Sequence, residues 1–426
     1  MITAGIAVAA LFILMLAGIP MVLSLTVTVT LYLFMSGGWS LALPQQIVSG
    51  MNGFILLALP LFILAGMTMN VGGLSTRIFE FARSLVGHMR GGLAQVNVGT
   101  SMFFGGLIGT SIADLAGTGS VVIPEMKRRG YPASFAAAVS ASSSGIGPLI
   151  PPSSPMILYS AVTGVSLGTM FVAGILPGLL LGLSQMVIVA YLARKRGWGA
   201  FSTFSWREVL STFRGALLAF GMPAIVVGGI VFGVFTPTEA GAFAAVYAIV
   251  VCVLVYRSIS LRQLYRLAVN SAALTGEVMM ILGISVAFGT FLSSARVPEG
   301  LAEVLDVLAI GDSTTMKLVA MIVFALIAGM ILDPLIPIVV PIVLPALVLA
   351  DIDLVQFGVL IVVTVVVGQV TPPLAICLVV AGRIARVDLF DAFRANMPFL
   401  IGMILVIVLI IFVPEVATWL PSLLGR

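Results

Sequence analysis

Long apolar runs separated by short polar stretches recur along the whole chain, at about 3–35, 49–71, 93–126, 134–163, 167–193, 214–235, 239–256, 268–294, 315–349, 355–382 and 397–424. A helix needs about 20 apolar residues to cross a hydrocarbon layer of roughly 30 Å, so the pattern predicts membrane helices and no sheet. Four runs, 93–126, 134–163, 315–349 and 355–382, are interrupted by polar residues or by Pro and Gly. The first run carries Pro20 in its interior. The expectation is an all-α polytopic membrane protein.

Composition agrees. Of 426 residues, 61% are hydrophobic and 8% charged, and the mean hydropathy is +1.24. Most of the chain must therefore face lipid or other helices, and no stretch is left for a separate soluble domain. The net charge of +4 comes from short basic clusters between apolar runs, Arg77 to Arg90, 127-KRR-129, 194-RKR-196, 257-RSISLRQLYR-266 and Arg383/Arg386. Such clusters orient membrane helices, and nucleic acid is excluded as a partner. Cys252 and Cys377 lie far apart inside apolar runs, which predicts buried, inert thiols. His88 is the only histidine and sits in a loop-like basic segment, so a multi-histidine metal cage is excluded. The N-terminal run has neither a basic leader nor a cleavage pattern and reads as a span.

If every basic cluster faces the cytoplasm, the loops near 163–166, 236–239, 296–306 and 351–353 face the other side. The alternation closes only if 93–126 and 315–349 enter and leave on the same side, as re-entrant hairpins. Their predicted tips are 109-GTSIADLAGTG-119 and 329-GMILDPLIP-337, each with one carboxylate, Asp114 or Asp333. Non-helical backbone at membrane depth is tolerated only where protein or a water-filled cavity satisfies it, so each tip marks a site.

A second pair of stretches, 147-GPLIPPSSP-155 and 368-GQVTPPLAI-376, lies in register with the hairpins. Gly147 and Gly368 precede Pro151 and Pro372 by the same four residues, and Pro177 and Pro398 follow at the same distance. The loop after the first hairpin, 126-MKRRGYP-132, is basic; its counterpart, 347-LVLADID-353, is acidic. The repeats therefore enter from opposite faces. Inverted repeats with discontinuous helices are the signature of secondary transporters. The expected halves are 1–205 and 206–426. By symmetry three crossings precede each hairpin, which splits 3–35 near Pro20 and puts both termini on the periplasmic side.

Proline pairs remove amide donors and leave carbonyls without intrahelical partners. Pro151 and the Pro372–Pro373 pair thus break helices so as to free oxygens. Those of Gly147, Ile150 and Pro152, and of Gly368, Thr371 and Leu374, suit Na+, with Thr110, Ser111 or Gly329 closing the shell. Asp114 and Asp333 either order their tips or add field at a nearby cation. Glu277 reads as a helix-packing hydrogen bond or a proton relay. Thr236-Pro237 with Glu239 reads as a capping box. Serines 142–144 face a polar cavity or allow close helix approach. No Ser–His dyad or paired-aspartate constellation supports an enzyme, and paired hairpins argue against a passive pore.

The succession 109-GTSIADLAGTGSVVIPEMKRRGYPASFAAAVSASSSGIGPLIPPSSPMILY-159, 233-GVFTPTEAGAFAAVYA-248, 329-GMILDPLIPIVVPIVLP-345 and 368-GQVTPPLA-375 resembles the large membrane subunit of tripartite ATP-independent periplasmic (TRAP) transporters over nearly the whole chain. The resemblance implies an elevator-type subunit in the bacterial inner membrane. It would couple two or more Na+ ions to uptake of an organic acid delivered by a periplasmic binding protein. It also implies a small membrane subunit of about four helices, expected as a separate polypeptide because the chain starts at the first large-subunit span. Family Na+ sites carry over to Ser111, Gly147, Ile150 and Pro152 for one ion, and to Gly329, Gly368, Thr371 and Leu374 for the other; Asp333 matches the second-hairpin aspartate. The run Pro334-Leu335-Ile336-Pro337 departs from the hydroxyl-rich tip of many relatives and implies a more apolar cavity wall.

Overall fold

The computed structural model describes residues 2–36, 42–296, 300 and 313–425, and among these there are helices and connections but no strand. The first apolar run is two helices, α1 (Ile2–Leu16) and α2 (Met21–Ser36), parted at Pro20 as expected. The run at 49–71 is less regular. It comprises the end of α3 (Ala42–Met51), a break at Asn52–Gly53 and a single 3₁₀ turn leading into α4 (Ala58–Val71). The basic segment around His88 departs from the loop reading, because residues Leu74–Val86 form the amphipathic helix α5. Arg83 of α5 pairs with Glu208 at 2.8 Å and the Ser84 hydroxyl meets Thr212, which ties its polar face to a later helix. His88 itself lies in the turn that follows.

The first hairpin consists of α6 (Gly92–Ile108) and an arm running from α7 (Ser111–Asp114) through a π turn into α8 (Ser120–Arg128). The first broken helix is α9 (Ala133–Ser144) and α10 (Ser154–Thr163). Next come α11 (Leu167–Arg196), α12 (Trp206–Val231), α13 (Pro237–Ile249, prolonged by a π turn to Val255) and α14 (Leu261–Ser294). The second hairpin is α15 (Thr314–Gly329) and α16 (Ile336–Leu349), and the second broken helix is α17 (Leu354–Gln369) and α18 (Ile376–Ala385). The final run, expected at 397–424, starts earlier and stops sooner: α19 (Leu389–Phe412) ends before Pro414, and a separate α20 (Glu415–Leu423) follows. The loop expected near 296–306 lies largely outside the described residues.

Six of the described helical stretches are long and apolar enough to cross a membrane: Phe54–Val71, Leu167–Arg196, Trp206–Val231, Pro237–Val255, Leu261–Ser294 and Leu389–Phe412. The capping box forms as read: Thr236 accepts from the Glu239 amide, and the Glu239 carboxylate accepts from the Thr236 amide at 2.8 Å.

Two groups of helices emerge from the packing. Helices α2, α3 and α4 pack on α14, α4 also packs on α13, and α12 packs on α5 and α13. The other group surrounds the broken helices: α9 packs on α6, α18 and α19, whereas α17 packs on α15 and α19. Helices apolar all round belong inside a protein. In α17 every residue from Gln356 to Gly368 is buried, and in α9 every residue from Phe135 to Ser144. Bonds between distant parts of the chain help to hold this group together. Tyr159 Oη donates to the Leu354 carbonyl at 2.6 Å, and Lys127 Nζ to the Ala385 carbonyl at 2.6 Å.

The hairpins touch the broken helices through glycine. A Cβ on Gly105 would stand 2.6 Å from the Gly147 Cα, and one on Gly368 would collide with the Gly329 carbonyl. Each hairpin therefore makes a backbone-on-backbone crossing between its first arm and a break. Overpacking a well-packed site costs about 1–3 kcal/mol. Gly368→Ala and Gly105→Ala are expected to lower stability by about that much, whereas Gly228→Ala, where a Cβ meets nothing within 4 Å, leaves it unchanged or raised. Thermal unfolding in detergent checks this; equal midpoints for Gly368→Ala and Gly228→Ala would count against the tight crossing.

Candidate functional site

The first tip is narrower than the sequence suggests. Only Gly109 and Thr110 leave the helical path, Gly109 with φ +65° and Thr110 extended, and from Ser111 onward the arm is helical. A Cβ at Gly109 would strike the Pro152 carbonyl, so this position needs both the absent side chain and the left-handed backbone. Asp114 thus sits one turn inside the arm. Its Oδ1 accepts from Thr118 at 3.1 Å, its Oδ2 has no hydrogen-bond partner, and it is fully buried. At the second tip Met330 to Leu335 separate the arms, and the Gln369 side chain lies beside the Asp333 carboxyl.

Each tip is hydrogen-bonded to its break in the same way. The Ser154 amide donates to the Gly109 carbonyl at 3.3 Å, and the Leu374 amide donates to the Met330 carbonyl at 3.3 Å. The structure thus brings Thr110 and Ser111 together with Gly147, Ile150, Pro151 and Pro152, and Gly329 with Gly368, Thr371, Pro372, Pro373 and Leu374.

Oxygens are left over at both crossings. Among the described residues, the carbonyls of Gly147, Ile150 and Pro152, and those of Gly329, Thr371 and Leu374, accept no hydrogen bond from the protein; that of Gly368 is met by the amides of Val370 and, at 3.2 Å, Thr371. The Ser111 hydroxyl is buried with no partner. The Thr371 hydroxyl donates to the Val367 carbonyl at 2.6 Å, which leaves its lone pairs unused. Buried carbonyls are nearly always paired, so the unpaired ones beside each crossing are available to a ligand, and carbonyl oxygens of this kind suit a hard monovalent cation. Among the described residues no group of three or more His, Cys, Asp or Glu could hold a metal ion.

Between the two tips lies a cavity of about 470 Å³. Thr110 and Ser111 of the first tip, Asp333 to Ile336 of the second, and Pro148, Ser154 and Leu158 of the first broken helix line one side; α4 and α14 line the other. The amides of Ser111, Ile112 and Ala113 open the arm at this cavity and donate to no protein atom among the described residues. The helix dipole and free amides make that end favourable for an anion.

Some polar residues behave differently from expectation. Glu277 makes no helix-packing hydrogen bond; it is exposed and lines the cavity. Serines 142–144 do not line the cavity. All three are buried, and Ser143 and Ser144 donate to Ser140 and Ala141 carbonyls while Ser142 donates to Asn396. Cys252 and Cys377 are free and buried. Asn70, Ser154 and Gln369 on the cavity wall, and Asn396 behind the breaks, were not picked out from the sequence; a lone amide inside an apolar run was the available signal.

Asn396 joins the two broken helices. It accepts from the Ser142 hydroxyl of α9 and donates from Nδ2 to the Val370 carbonyl at 3.3 Å, beside the second break; Gln185 Nε2 adds a bond to the Ser142 carbonyl at 2.9 Å.

Paired hairpins, paired breaks and a cavity between them define a multi-pass helical membrane transporter, and the comparisons agree. Two solved transporters share the fold. They are Alcanivorax borkumensis YdaH (TM-score 0.57, 16% identity, 89% of this chain and 87% of that one) and Neisseria gonorrhoeae MtrF, described as an antimetabolite efflux pump (0.59, 13%, 89% and 86%). Residues 8–416 match the family described as "Tripartite ATP-independent periplasmic transporter, DctM component", and the chain belongs to this family of TRAP large permeases. Relatives include the sialic acid TRAP transporter large permease SiaM of Vibrio cholerae (34% identical, 96% of each chain). Others are the C4-dicarboxylate TRAP transporter large permease DctM of Pseudomonas aeruginosa (37%, 87% of each) and the sialic acid permease SiaT of Haemophilus influenzae (34%, 97% of this chain and 67% of that one). These relatives are transporter permeases and not enzymes, and the chain is a multi-pass inner-membrane protein.

Removing the Asn396 amide strands a buried hydroxyl and a buried carbonyl, which costs about 1–3 kcal/mol per group. Asn396→Leu is expected to lower the unfolding midpoint by several degrees, more than Ser422→Ala, where an exposed hydroxyl merely donates to the Trp419 carbonyl. A midpoint equal to that of the Ser422 variant would show that the bridge contributes nothing.

Proposed function

We propose that this chain is the large subunit of a Na+-coupled importer of an organic acid, working with a small membrane subunit of about four helices and a periplasmic binding protein. Family membership supports the partners. The observation that carries the ion coupling is the set of unpaired carbonyls at the two glycine crossings. One ion would take oxygens from Ser111, Gly147, Ile150 and Pro152, the other from Gly329, Gly368, Thr371 and Leu374. An ion at either crossing would satisfy oxygens that the protein leaves unpaired and would hold tip to break. Asp114 and Asp333 add negative field near the ions. The substrate carboxylate would sit at the free amides of Ser111 to Ala113.

In this reading residues 1–205 and 206–426 are inverted halves. The hairpins and broken helices form a transport unit that moves as an elevator against a scaffold of the remaining helices. Matched tip-to-break bonds, Ser154 to Gly109 and Leu374 to Met330, support the equivalence of the halves.

A ligand that binds only the folded state at about 100 times its Kd adds roughly 2.7 kcal/mol. The unfolding midpoint of the purified chain with its small subunit is therefore expected to be higher in NaCl than in choline chloride at equal ionic strength. Ser111→Ala and Thr371→Val should each reduce that difference, and the double variant should remove most of it. Equal midpoints in the two salts, with the protein folded, would overturn sodium coupling.

A further inference from the structure

We infer that the acid taken by this cavity carries one carboxylate on an apolar body and is not a dicarboxylate; the inference rests on the function proposed above. The cavity has one anion-seeking end and several walls that oppose a second negative charge. At the first tip the amides of Ser111, Ile112 and Ala113 donate to no protein atom among the described residues and the Ser111 hydroxyl beside them is buried without a partner, enough for a single carboxylate. Elsewhere the ionisable groups on the wall are Glu277 on α14 and Asp333 at the second tip, both acidic. No Lys, Arg or His lines the cavity among the described residues. The segments outside them, Arg426 excepted, contain no basic residue in their sequence either.

A second substrate carboxylate would therefore meet two acidic side chains in a setting of low polarity, with no cationic side chain to compensate it. Specificity built from such opposition is as effective as added attraction. The remaining wall supplies the attraction. Met67 and Ile63 on α4, Val278 and Ile281 on α14, Leu158 on α10 and Leu335 at the second tip present hydrocarbon from each side. A branched alkyl or aryl body buries its surface there, and a short polar diacid does not.

The test leaves out the binding protein, which would impose its own selectivity. The chain with its small subunit is unfolded thermally against rising concentrations of two probes, 4-methyl-2-oxopentanoate and succinate, in NaCl and again in choline chloride. The branched monoacid is expected to reach its half-maximal shift at a concentration about tenfold or more below that of succinate. Glu277→Gln should narrow the gap by improving the response to succinate, and Val278→Ala, which removes hydrocarbon from the wall, should weaken the monoacid more than succinate. The inference is overturned if succinate acts at equal or lower concentration. It is also overturned if neither acid shifts the midpoint in the millimolar range while Na+ does. If the preference for the monoacid persists and is the same in both salts, the substrate class stands and sodium coupling is the part that fails.

Discussion

Backbone amides and carbonyls at membrane depth have no water to bond with, and the protein must pair them, bury them against something polar, or use them. The rest of the structure follows from how two glycine crossings meet that demand. Where Gly105 meets Gly147 and Gly329 meets Gly368, the chains approach so closely that no side chain fits between them. The approach lets the Ser154 and Leu374 amides reach tip carbonyls, which closes each hairpin onto its broken helix. It also leaves a residue of carbonyls with no donor. At the first crossing the two-residue tip Gly109–Thr110 has no room to turn these oxygens toward amides.

The crossings hold because the helices that carry them are wrapped by protein on all sides. Helices α9 and α17 are buried along nearly their whole length, and what surrounds them is shared: both pack on α19. Through Asn396, one residue of α19 holds Ser142 in the first broken helix and Val370 at the second break. The polar network is therefore continuous from one break to the other, and buried networks of this kind fix one arrangement because partial satisfaction is costly. Displacing one break by even an ångström would strain the bonds that position its counterpart.

Much of this was legible in the chain because the relevant signals are local. Apolar runs with punctuation located the helices, and the spacing of Gly147 and Gly368 from their proline pairs located the breaks to within a residue or two. The errors lie where local signals compete. Gly117, Thr118 and Gly119 look like loop, yet they form a π turn within a helix, since Thr118 caps back onto Asp114 and Gly117 lets Asn70 approach. Arg77 to Arg90 look like a loop because charges recur, yet the apolar residues between them fall on one face and α5 forms against α12. No spacing in the sequence relates Glu277 to a hairpin tip more than 50 residues further on. Only the packing of α14 against α16 puts that carboxyl on the cavity wall.

That placement bears on mechanism. The hairpin tips and both breaks carry the unpaired oxygens and free amides, so the proposed recognition of ions and of a carboxylate falls on one group of helices. Helices α4 and α14 contribute Asn70, Glu277 and hydrocarbon, so discrimination of the substrate's far end lies on the other. In the elevator motion proposed for this subunit, the first group slides past the second. The carboxylate end would then keep its partners through the whole movement, while the apolar end would exchange one wall for another. Burial of an apolar body is non-directional and survives such an exchange, whereas a hydrogen-bonded or charged far end would have to break its contacts at each step. A cavity whose free amides ride on its moving side, and whose hydrocarbon is shared by both sides, is thus suited to carrying its cargo with little to undo along the way.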